Sequence, residues 1–466
     1  MNYISTRGQA PAIGFLQALL AGLAPDGGLY VPQTWPVLSA AEIAGFSGRP
    51  YAEVAADILG RFAGDEIPPA TLRAICAEAY ATFDHAAVAP LNQISPSEFL
   101  LELFHGPTLA FKDVAMQLLA RLYEFALASD GRTLTIVCAT SGDTGGAAVE
   151  AFRGRANVRI VAMFPEGRVS EVQRRFMTTA DDDNVRTLAV AGDFDDCQAI
   201  LKALFSDTAF AREIDLSAVN SINFARVAAQ SVYYFTAAAA LGAPARAVRF
   251  AAPTGNFGDA FAGYAAHRLG LPIERILVAT NRNDIMARAL TEGRYQRGAA
   301  VATQSPAMDI QVASNFERLY FECAGRDAAL TKDAFEAFAA TGAIDIPHNM
   351  LAGMREVFTG VAVTEDDTSQ AMARVLADTG ELIDPHTAVA VAGARASAGN
   401  HTAPLVILAT AHAAKFPEAV SAATGVTPGA PAGVGERMTL PEIFDRLPAD
   451  IDAVKAYVRA FASEET

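Results

Sequence analysis

Residues 103–113 read Leu103-Phe104-His105-Gly106-Pro107-Thr108-Leu109-Ala110-Phe111-Lys112-Asp113 and place one lysine where an apolar run passes into a helix. After Lys112, apolar residues recur with the spacing of one helix face, at Ala115, Leu118, Leu119, Leu122, Phe125 and Ala126. Lys112 would then lie in the first turn, where the positive end of the helix dipole disfavours an ammonium. Such an amine is suited to form a Schiff base with a carbonyl cofactor. A surface lysine at a helix start is the alternative that this stretch leaves open.

Two glycine-rich segments further along the chain have the form of anion-binding loops. Ala252-Pro253-Thr254-Gly255-Asn256-Phe257-Gly258-Asp259 lies between a strand-like and a helix-like run, and Ala139-Thr140-Ser141-Gly142-Asp143-Thr144-Gly145-Gly146 has the same context. This arrangement directs backbone N–H groups and a helix N-terminus toward a phosphate. The glycine spacing of residues 252–259 is that of neither a dinucleotide-binding loop nor a Walker loop. Two such loops and a helix-start lysine predict a phosphate-bearing aldehyde cofactor and an anionic substrate, although each segment alone could be a tight turn.

These segments resemble those of the long-chain threonine synthases, pyridoxal-phosphate enzymes of the tryptophan-synthase-β-like fold. The shared pieces are F-H-G-P-T-x-A-F-K-D around Lys112, S-G-D-T-G and P-T-G-N-F-G-D. Further similar segments follow in order along nearly the whole chain, at residues 3–8, 26–32, 220–226, 314–318 and 410–416. Each piece alone has modest specificity, whereas the ordered set is highly specific.

Composition and pattern favour an α/β protein of several domains. The chain has 466 residues, of which 52% are hydrophobic, and this is ample for large cores. Strand-like runs separated by helical stretches, as in a parallel sheet covered on both faces, lie at residues 134–139, 159–164, 185–191, 247–252, 276–280 and 405–409. The alternating strands and helices predict an α/β fold, and the resemblance implies that this is the fold of a fold-type II pyridoxal-phosphate enzyme. Its parts would be a mostly helical N-terminal domain (1–92), a smaller α/β domain with Lys112 (93–235) and a larger α/β domain (236–466).

The resemblance assigns cofactor-binding roles to three parts of the sequence. Lys112 would form the Schiff base with pyridoxal 5'-phosphate and then shuttle protons. The cofactor phosphate would be held by the backbone N–H groups of Gly255, Asn256, Phe257 and Gly258, because glycine lets the backbone come close. Asp259 would cap or begin the following helix. The Thr410 hydroxyl would meet the pyridine nitrogen, although a helix N-cap is an alternative role.

Two other segments are predicted to bind the substrate. The loop formed by Thr140, Ser141, Asp143 and Thr144 would hold its α-carboxylate through N–H groups and the Ser141 and Thr144 hydroxyls. Ser221, Asn223 and Arg226 would hold its γ-phosphate, since arginine suits bidentate phosphate binding. Asn223 and Arg226 lie three residues apart and would share a helix face. A solvated helix arginine is the alternative.

Two residues near the lysine and its loops have no fixed role. Asp143 stands where many relatives in the wider fold carry an asparagine opposite the pyridine 3-oxygen. The long-chain threonine synthases also carry an aspartate there. His105 would be either a hydrogen-bonded core histidine or a contact to substrate phosphate.

The resemblance implies conversion of O-phospho-L-homoserine and water to L-threonine and phosphate by γ-elimination and β-addition. A phospho-lyase that releases 2-oxobutyrate, a related dehydratase and a non-catalytic cofactor-binding homologue are the alternatives.

A net charge of −16 argues against binding to nucleic acid and against binding to an anionic membrane surface. The N-terminus lacks the order of a signal peptide, and the four cysteines are far apart, as in a reduced cytoplasmic protein. No metal-site spacing and no added regulatory domain are evident, so we expect a metal-free cytoplasmic monomer, with a dimer as the alternative.

Overall fold

The computed structural model describes residues 1–128, 131–217, 219–397, 399 and 401–464. Up to residue 128 the elements are β1 (Tyr3–Ser5), α1 (Phe15–Ala21), β2 (Tyr30–Pro32), α2 (Ala40–Ala44), α3 (Tyr51–Ala63), α4 (Pro69–Tyr80), β3 (Leu91–Gln93), β4 (Glu98–Glu102) and α5 (Lys112–Ala128). Next come β5 (Leu134–Ala139), α6 (Asp143–Phe152), β6 (Val158–Pro165), α7 (Glu171–Thr178), β7 (Val185–Ala191), α8 (Phe194–Ser206), α9 (Thr208–Glu213), β8 (Leu216–Ser217), α10 (Phe224–Ala240), β9 (Val248–Pro253), α11 (Gly258–Arg268) and β10 (Ile273–Thr280).

The rest of the chain continues the alternation of helices and strands. It forms α12 (Ile285–Glu292), β11 (Arg294–Gln296), α13 (Phe316–Cys323), α14 (Ala328–Thr341), β12 (Ala343–Asp345), α15 (His348–Val357), β13 (Phe358–Ala362), α16 (Glu365–Thr379), α17 (Pro385–Ala396), β14 (Leu405–Ala409), α18 (Pro417–Thr424), α19 (Ala432–Arg437), β15 (Asp445–Pro448) and α20 (Ile451–Ala462). Short 3-10 turns lie at Gly64–Glu66, Pro306–Met308 and Ala413–Lys415. In the described part of the chain, no helix has the length and apolar character needed to cross a membrane.

Two mainly parallel sheets organise the molecule. The larger has the order β13-β10-β9-β14-β4-β3, in which only β3 is antiparallel to its neighbour. The smaller has the order β15-β7-β6-β5-β8 and is parallel throughout. Successive residues of β5, Ile136 and Val137, belong to different apolar clusters, and so do Phe250 and Ala251 of β9. Because side chains alternate along a strand, both faces of each sheet are covered. The predicted α/β class is confirmed.

The predicted strands agree closely with the observed ones. The runs 134–139, 185–191 and 405–409 have the bounds of β5, β7 and β14, and the other three differ only at their ends. The sequence did not predict β4 and β13. β4 carries a glutamate at each end and is only partly buried, so it lacks the apolar run that marks the central strands.

The predicted domain limits do not coincide with the sheet membership of β3, β4 and β15, and β3 itself crosses the limit at residue 92. β4 lies in the predicted smaller domain but pairs with β14 in the larger sheet. β15 lies in the predicted larger domain but pairs with β7 in the smaller sheet, where α20 packs against α8. Hydrogen bonding between distant strands, rather than order along the chain, decides which sheet a segment joins.

The predicted N-terminal domain, residues 1–92, contains helices α1 to α4 together with the short strands β1 and β2, and it shares one apolar core with α5 and α10. Tyr3 shows how this region is attached, since its ring packs on Phe224 of α10 and its hydroxyl donates to the Phe62 carbonyl at 2.9 Å. The helix that begins with Lys112 is therefore packed into this large apolar core.

Candidate active site

Lys112 is the first residue of α5 and is positioned by the loop before it, residues 103–111, which we call the lysine loop. This loop is hydrogen-bonded to the chain that leaves β14. Leu103 N–H donates to the Ala409 carbonyl at 2.9 Å, and Phe111 N–H donates to the Thr410 carbonyl at 2.8 Å. The predicted place of Lys112 at a helix start is confirmed, and its partner segment comes from the larger sheet.

The Lys112 amine is buried among charged groups. Its Nζ lies 3.6 Å from Asp143 Oδ2, and Lys415, Arg226 and Asp259 also act on it electrostatically. Burial has the largest effect and lowers the pKa of Lys112, while Asp143 opposes this change and the two cations add to it. The amine is therefore more easily deprotonated than an ordinary lysine, as a nucleophile requires.

Asp143 is the first residue of α6 and lies between two lysines. Its Oδ1 accepts a hydrogen bond from Lys415 Nζ at 2.7 Å and another from Gln173 Nε2 at 3.0 Å, while Oδ2 faces Lys112. Burial alone would raise the pKa of Asp143, but Lys415 and then Lys112 hold it below its usual range. The carboxylate therefore remains charged inside the protein.

The first glycine loop, residues 140–145, follows β5 and leads into α6. The Thr140 hydroxyl accepts hydrogen bonds from the N–H groups of Gly142 and Gly145, both at 2.9 Å. Three further N–H groups have no acceptor among the described residues, those of Ser141, Asp143 and Thr144. The Ser141 and Thr144 hydroxyls also have no partner in the described part of the chain. These free donors at a helix N-terminus can bind an anion.

The second glycine loop, residues 255–259, follows β9 and leads into α11. Four successive N–H groups have no acceptor among the described residues, those of Gly255, Asn256, Phe257 and Gly258. Phe257 has a left-handed backbone, with φ 62°, which turns successive N–H groups into one concave set. A Cβ on Gly255 would lie 2.8 Å from the Ala307 carbonyl oxygen, so this position has no room for a side chain.

Two charged groups that act on Lys112, Arg226 and Asp259, have buried polar atoms without partners among the described residues, and so does Tyr233 on α10. Arg226 Nε and Nη1, Asp259 Oδ2 and the Tyr233 hydroxyl have no hydrogen-bond partner in the described structure. Burial lowers the pKa of Arg226 to about 10 and raises the pKa of Asp259 to about 6. An unpaired buried guanidinium costs free energy, and an anionic group that binds beside it would offset that cost.

The substrate-phosphate segment is arranged differently from the prediction. Asn223 precedes α10 as its N-cap, so the expectation that it shares a helix face with Arg226 is wrong. Its amide is held inside the protein, because Oδ1 accepts from Ala225 N–H at 3.0 Å and Nδ2 donates to the Leu19 carbonyl at 2.8 Å and to the Tyr123 hydroxyl at 3.4 Å. A cap must precede the first helical residue. The i,i+3 rule therefore does not apply to this pair.

Asn315 connects that segment to the second glycine loop. Its Nδ2 donates to the Ser221 carbonyl and to the Asn256 carbonyl, each at 3.1 Å. Ser221 is half-buried and lies beside the loop through this shared contact. Two predicted regions that are distant in sequence are thus brought together by one amide.

Thr410 and His105 also lie beside the lysine loop. Thr410 is buried directly after β14, and the alternative that it caps a helix is wrong, because His412 caps the next turn through its contact with Ala414 N–H. His105 is half-buried, and its Nε2 forms a 2.8 Å hydrogen bond with Glu102 Oε2. His105 is thus hydrogen-bonded, as one of its two predicted roles required, but it is half-buried and does not lie in the core.

Three residues that contact the site were not predicted: Lys415, Gln173 and Asn315. Lys415 and Asn315 lie in the segments 410–416 and 314–318, whose resemblance to the long-chain threonine synthases was the available signal. Gln173 had no signal, because its contact with Asp143 depends on how α7 packs beside α6.

Comparison with known proteins gives the same assignment along the whole chain. Family models match in succession: threonine synthase N terminus over residues 2–80, pyridoxal-phosphate dependent enzyme over 88–355 and threonine synthase, C-terminal, over 387–458. The threonine synthase of Pseudomonas aeruginosa is 49% identical over 98% of both chains. The crystal structure of pyridoxal-phosphate-bound threonine synthase from Brucella melitensis is similar with 52% identity and a TM-score of 0.97 over 100% of both chains. The yeast threonine synthase structure covers 100% of this chain with 36% identity and a TM-score of 0.93.

Proposed function

This chain belongs to the threonine synthase family, and from that premise we propose that it converts O-phospho-L-homoserine and water to L-threonine and phosphate. The protein is a pyridoxal-phosphate-dependent lyase of fold type II. One observation gives this substrate its main support. The buried Lys112 interacts with Asp143 in one glycine loop and with Asp259 in the other, and both loops have backbone N–H groups without acceptors among the described residues. Two separate anion sites suit a cofactor phosphate and an anionic amino acid.

The residues present fit pyridoxal phosphate. The free N–H groups of residues 255–258 would hold its phosphate, and Gly255 allows the close approach that a side chain would block. Lys112 would provide the amine, and Thr410 would lie beside the pyridine nitrogen. When bound, the cofactor supplies a carbonyl for that amine and an electron sink for the substrate α-carbon.

The substrate would be held at both ends. Ser141, Asp143 and Thr144 would donate backbone N–H groups to the α-carboxylate, with the Ser141 and Thr144 hydroxyls close by. The unpaired guanidinium of Arg226 would bind the γ-phosphate, with Ser221 beside it. Asn223 would act indirectly, because it caps the helix whose first turn carries Arg226.

Lys112 would be the acid and base of the reaction. Its lowered pKa leaves more of the amine neutral near pH 7, so it can take the proton from the substrate α-carbon and return one at the end. The β-carbon would lose a proton as phosphate leaves the γ-carbon with its bonding electron pair, the γ-carbon would then gain a proton, and water would add its hydroxyl at the β-carbon. The substrate charges are fixed at both ends, and this keeps the α-carbon within reach of one amine.

Product analysis tests this assignment. The full chain, loaded with pyridoxal phosphate, is incubated with O-phospho-L-homoserine, and we expect threonine and phosphate in equal amounts. Formation of 2-oxobutyrate and phosphate without threonine would identify a phospho-lyase instead. Bound cofactor with no product at all would leave a non-catalytic homologue.

We also propose that the enzyme acts as a cytoplasmic monomer. Cys76, Cys138, Cys197 and Cys323 are all free, which suits a reducing compartment. Light scattering is expected to give the mass of one chain, 48.9 kDa. Twice that mass at micromolar concentration would show a dimer.

A further inference from the structure

Lys415 joins the two halves of the site. It ends the 3-10 turn that follows β14 of the larger sheet, whereas Asp143 begins α6 beside the smaller sheet. Its side chain is 1% exposed, and its Nζ lies 2.7 Å from Asp143 Oδ1 and 2.7 Å from the Thr108 carbonyl oxygen. The substrate and cofactor contacts proposed above do not use this lysine.

The Thr108 contact ties Lys415 to the segment that sets the position of Lys112. Thr108 N–H and Oγ1 donate to the two carboxylate oxygens of Asp113 at 2.8 and 2.7 Å, and Asp113 is the residue after Lys112. Lys415 Nζ is also 5.3 Å from the centre of the Phe176 ring. The ammonium is therefore fixed by a carboxylate, a carbonyl and an aromatic face.

The distances indicate that Lys415, rather than Lys112, is the closer ion-pair partner of Asp143. Asp143 has two cationic neighbours, and Lys415 at 2.7 Å is nearer than Lys112 at 3.6 Å. If Lys415 were absent, Asp143 would have Lys112 as its remaining ion-pair partner, and a close carboxylate favours the ammonium form of a lysine. An ammonium has no free electron pair and cannot attack a carbonyl.

We propose that Lys415 is a positioning residue that pairs with Asp143 and thereby keeps the Lys112 amine from being held as an ammonium by that carboxylate. The inference rests on the proposed function, because it concerns the lysine assigned to the cofactor. Arg226 and Asp259 are the other charged groups that act on Lys112, and Asp113, the residue after it, interacts electrostatically with Lys415. They come from α10, α11 and α5 and are unchanged in the test below.

The test measures the reactivity of Lys112 without using catalysis. The full chain, freed of cofactor, is labelled with limiting acetic anhydride between pH 6 and pH 10, and modification of Lys112 is quantified by mass spectrometry. In Lys415→Met we expect the pKa of Lys112 to rise by about one unit, which slows its labelling about tenfold at pH 7. Lys415→Arg retains the cation and is expected to label within about twofold of the unaltered protein.

A second pair of variants keeps the test decisive if Lys415→Met does not fold. Asp143→Asn removes the carboxylate and should label at least as fast as the unaltered protein. The double variant Lys415→Met, Asp143→Asn should recover the labelling rate that Lys415→Met loses. Circular dichroism and cooperative thermal unfolding establish that each variant is folded.

Three results would overturn the proposal. They are unaltered labelling of Lys112 in folded Lys415→Met, slower labelling in Asp143→Asn, and failure of the double variant to recover. A protein that makes threonine but gives any of these results retains the proposed function and loses only this role of Lys415. A protein that shows the predicted labelling order but forms no threonine retains the role of Lys415 and loses the proposed function.

Discussion

The two glycine loops have the same local context, yet their aspartates experience opposite electrostatic environments. Each loop follows a parallel strand, leads into a helix and carries an aspartate that acts on Lys112. Asp143 in the first loop is paired with Lys415 and Gln173, and its pKa is held low. Asp259 in the second loop leaves Oδ2 without a partner, and burial raises its pKa to about 6.

The difference comes from residues outside the loops. The backbone N–H donors follow from strand, glycine and helix order, which both loops share. The charge state of each aspartate follows from what other elements bring near it. A lysine from the larger sheet reaches Asp143 in the first loop, whereas Asp259 in the second loop leaves Oδ2 without a partner in the described structure. The first carboxylate is therefore held in its charged form by a paired cation, whereas burial favours the neutral form of the second, and both loops retain N–H groups that can bind an anion.

The largest expected effect comes from removing the amine on which both aspartates act. In Lys112→Ala we expect no covalent cofactor and a rate of threonine formation at least about a thousandfold lower, because attachment and proton transfer both need this amine. Borohydride reduction followed by mass spectrometry measures attachment. Lys202→Ala, which alters an exposed lysine of α8, is the matched control. Retention of a reducible cofactor and a near-normal rate would show that another lysine is used.

Next in size is the loss of the unpaired cation. In Arg226→Met we expect KM for O-phospho-L-homoserine to rise about a hundredfold, the upper range for a hydrogen bond to a charged group, with cofactor content unchanged. The exposed Arg246→Met is the control. If Arg226→Met instead loses pyridoxal phosphate while its substrate affinity stays normal, the guanidinium belongs to the cofactor site.

The two aspartates should respond to amide substitution with opposite signs. The pKa of Asp259 is raised to about 6 against 3.8, so its ionised form destabilises the fold above pH 6 and the cost disappears near pH 4. Asp259→Asn should therefore stabilise the cofactor-free protein by about 3 kcal/mol at pH 7.5 and by little at pH 4. Asp143→Asn should destabilise it at pH 7.5, since a lowered carboxyl pKa contributes stability above its unfolded value. Urea unfolding at both pH values measures the change in the free energy of unfolding. A change of the same sign in both variants would show that the two aspartates do not lie in opposite electrostatic environments.

The smallest expected effect tests how closely the second loop fits an anion. In Gly255→Ala the new Cβ would meet the Ala307 carbonyl at 2.8 Å, so the loop must shift and cofactor affinity should fall about tenfold. In Gly258→Ala the nearest atom is the Asn315 side-chain nitrogen at 3.4 Å, and we expect less than threefold loss. Equilibrium titration with pyridoxal phosphate compares the two variants. Equal losses would show that the free N–H groups, rather than the space at Gly255, limit binding.

The sequence predicts those parts of the molecule that depend on local chemistry. Apolar runs predict β5, β7 and β14 to the residue, and helical periodicity places Lys112 at the start of α5. It does not predict β4, which lacks a long apolar run, nor which sheet β4 and β15 join, because sheet membership depends on pairing with distant strands. Lys415 and Gln173 are missed for the same reason, since each reaches Asp143 only after separate elements have packed. Asn223 is misjudged because a helix rule was applied one residue before the helix begins.

The pairing of the lysine loop with the chain after β14 has a consequence for synthesis on the ribosome. Domains generally fold as they emerge, from the N-terminus onward. A nascent chain that ends at Pro404 contains Lys112 and both glycine loops, but it lacks Ala409 and Thr410, whose carbonyls hold the lysine loop. It also lacks β14, which separates β9 from β4 in the larger sheet. If Lys112 binds the cofactor as proposed, we expect attachment to follow synthesis of β14, because a chain terminated at Pro404 would contain this lysine without the backbone partners that position it.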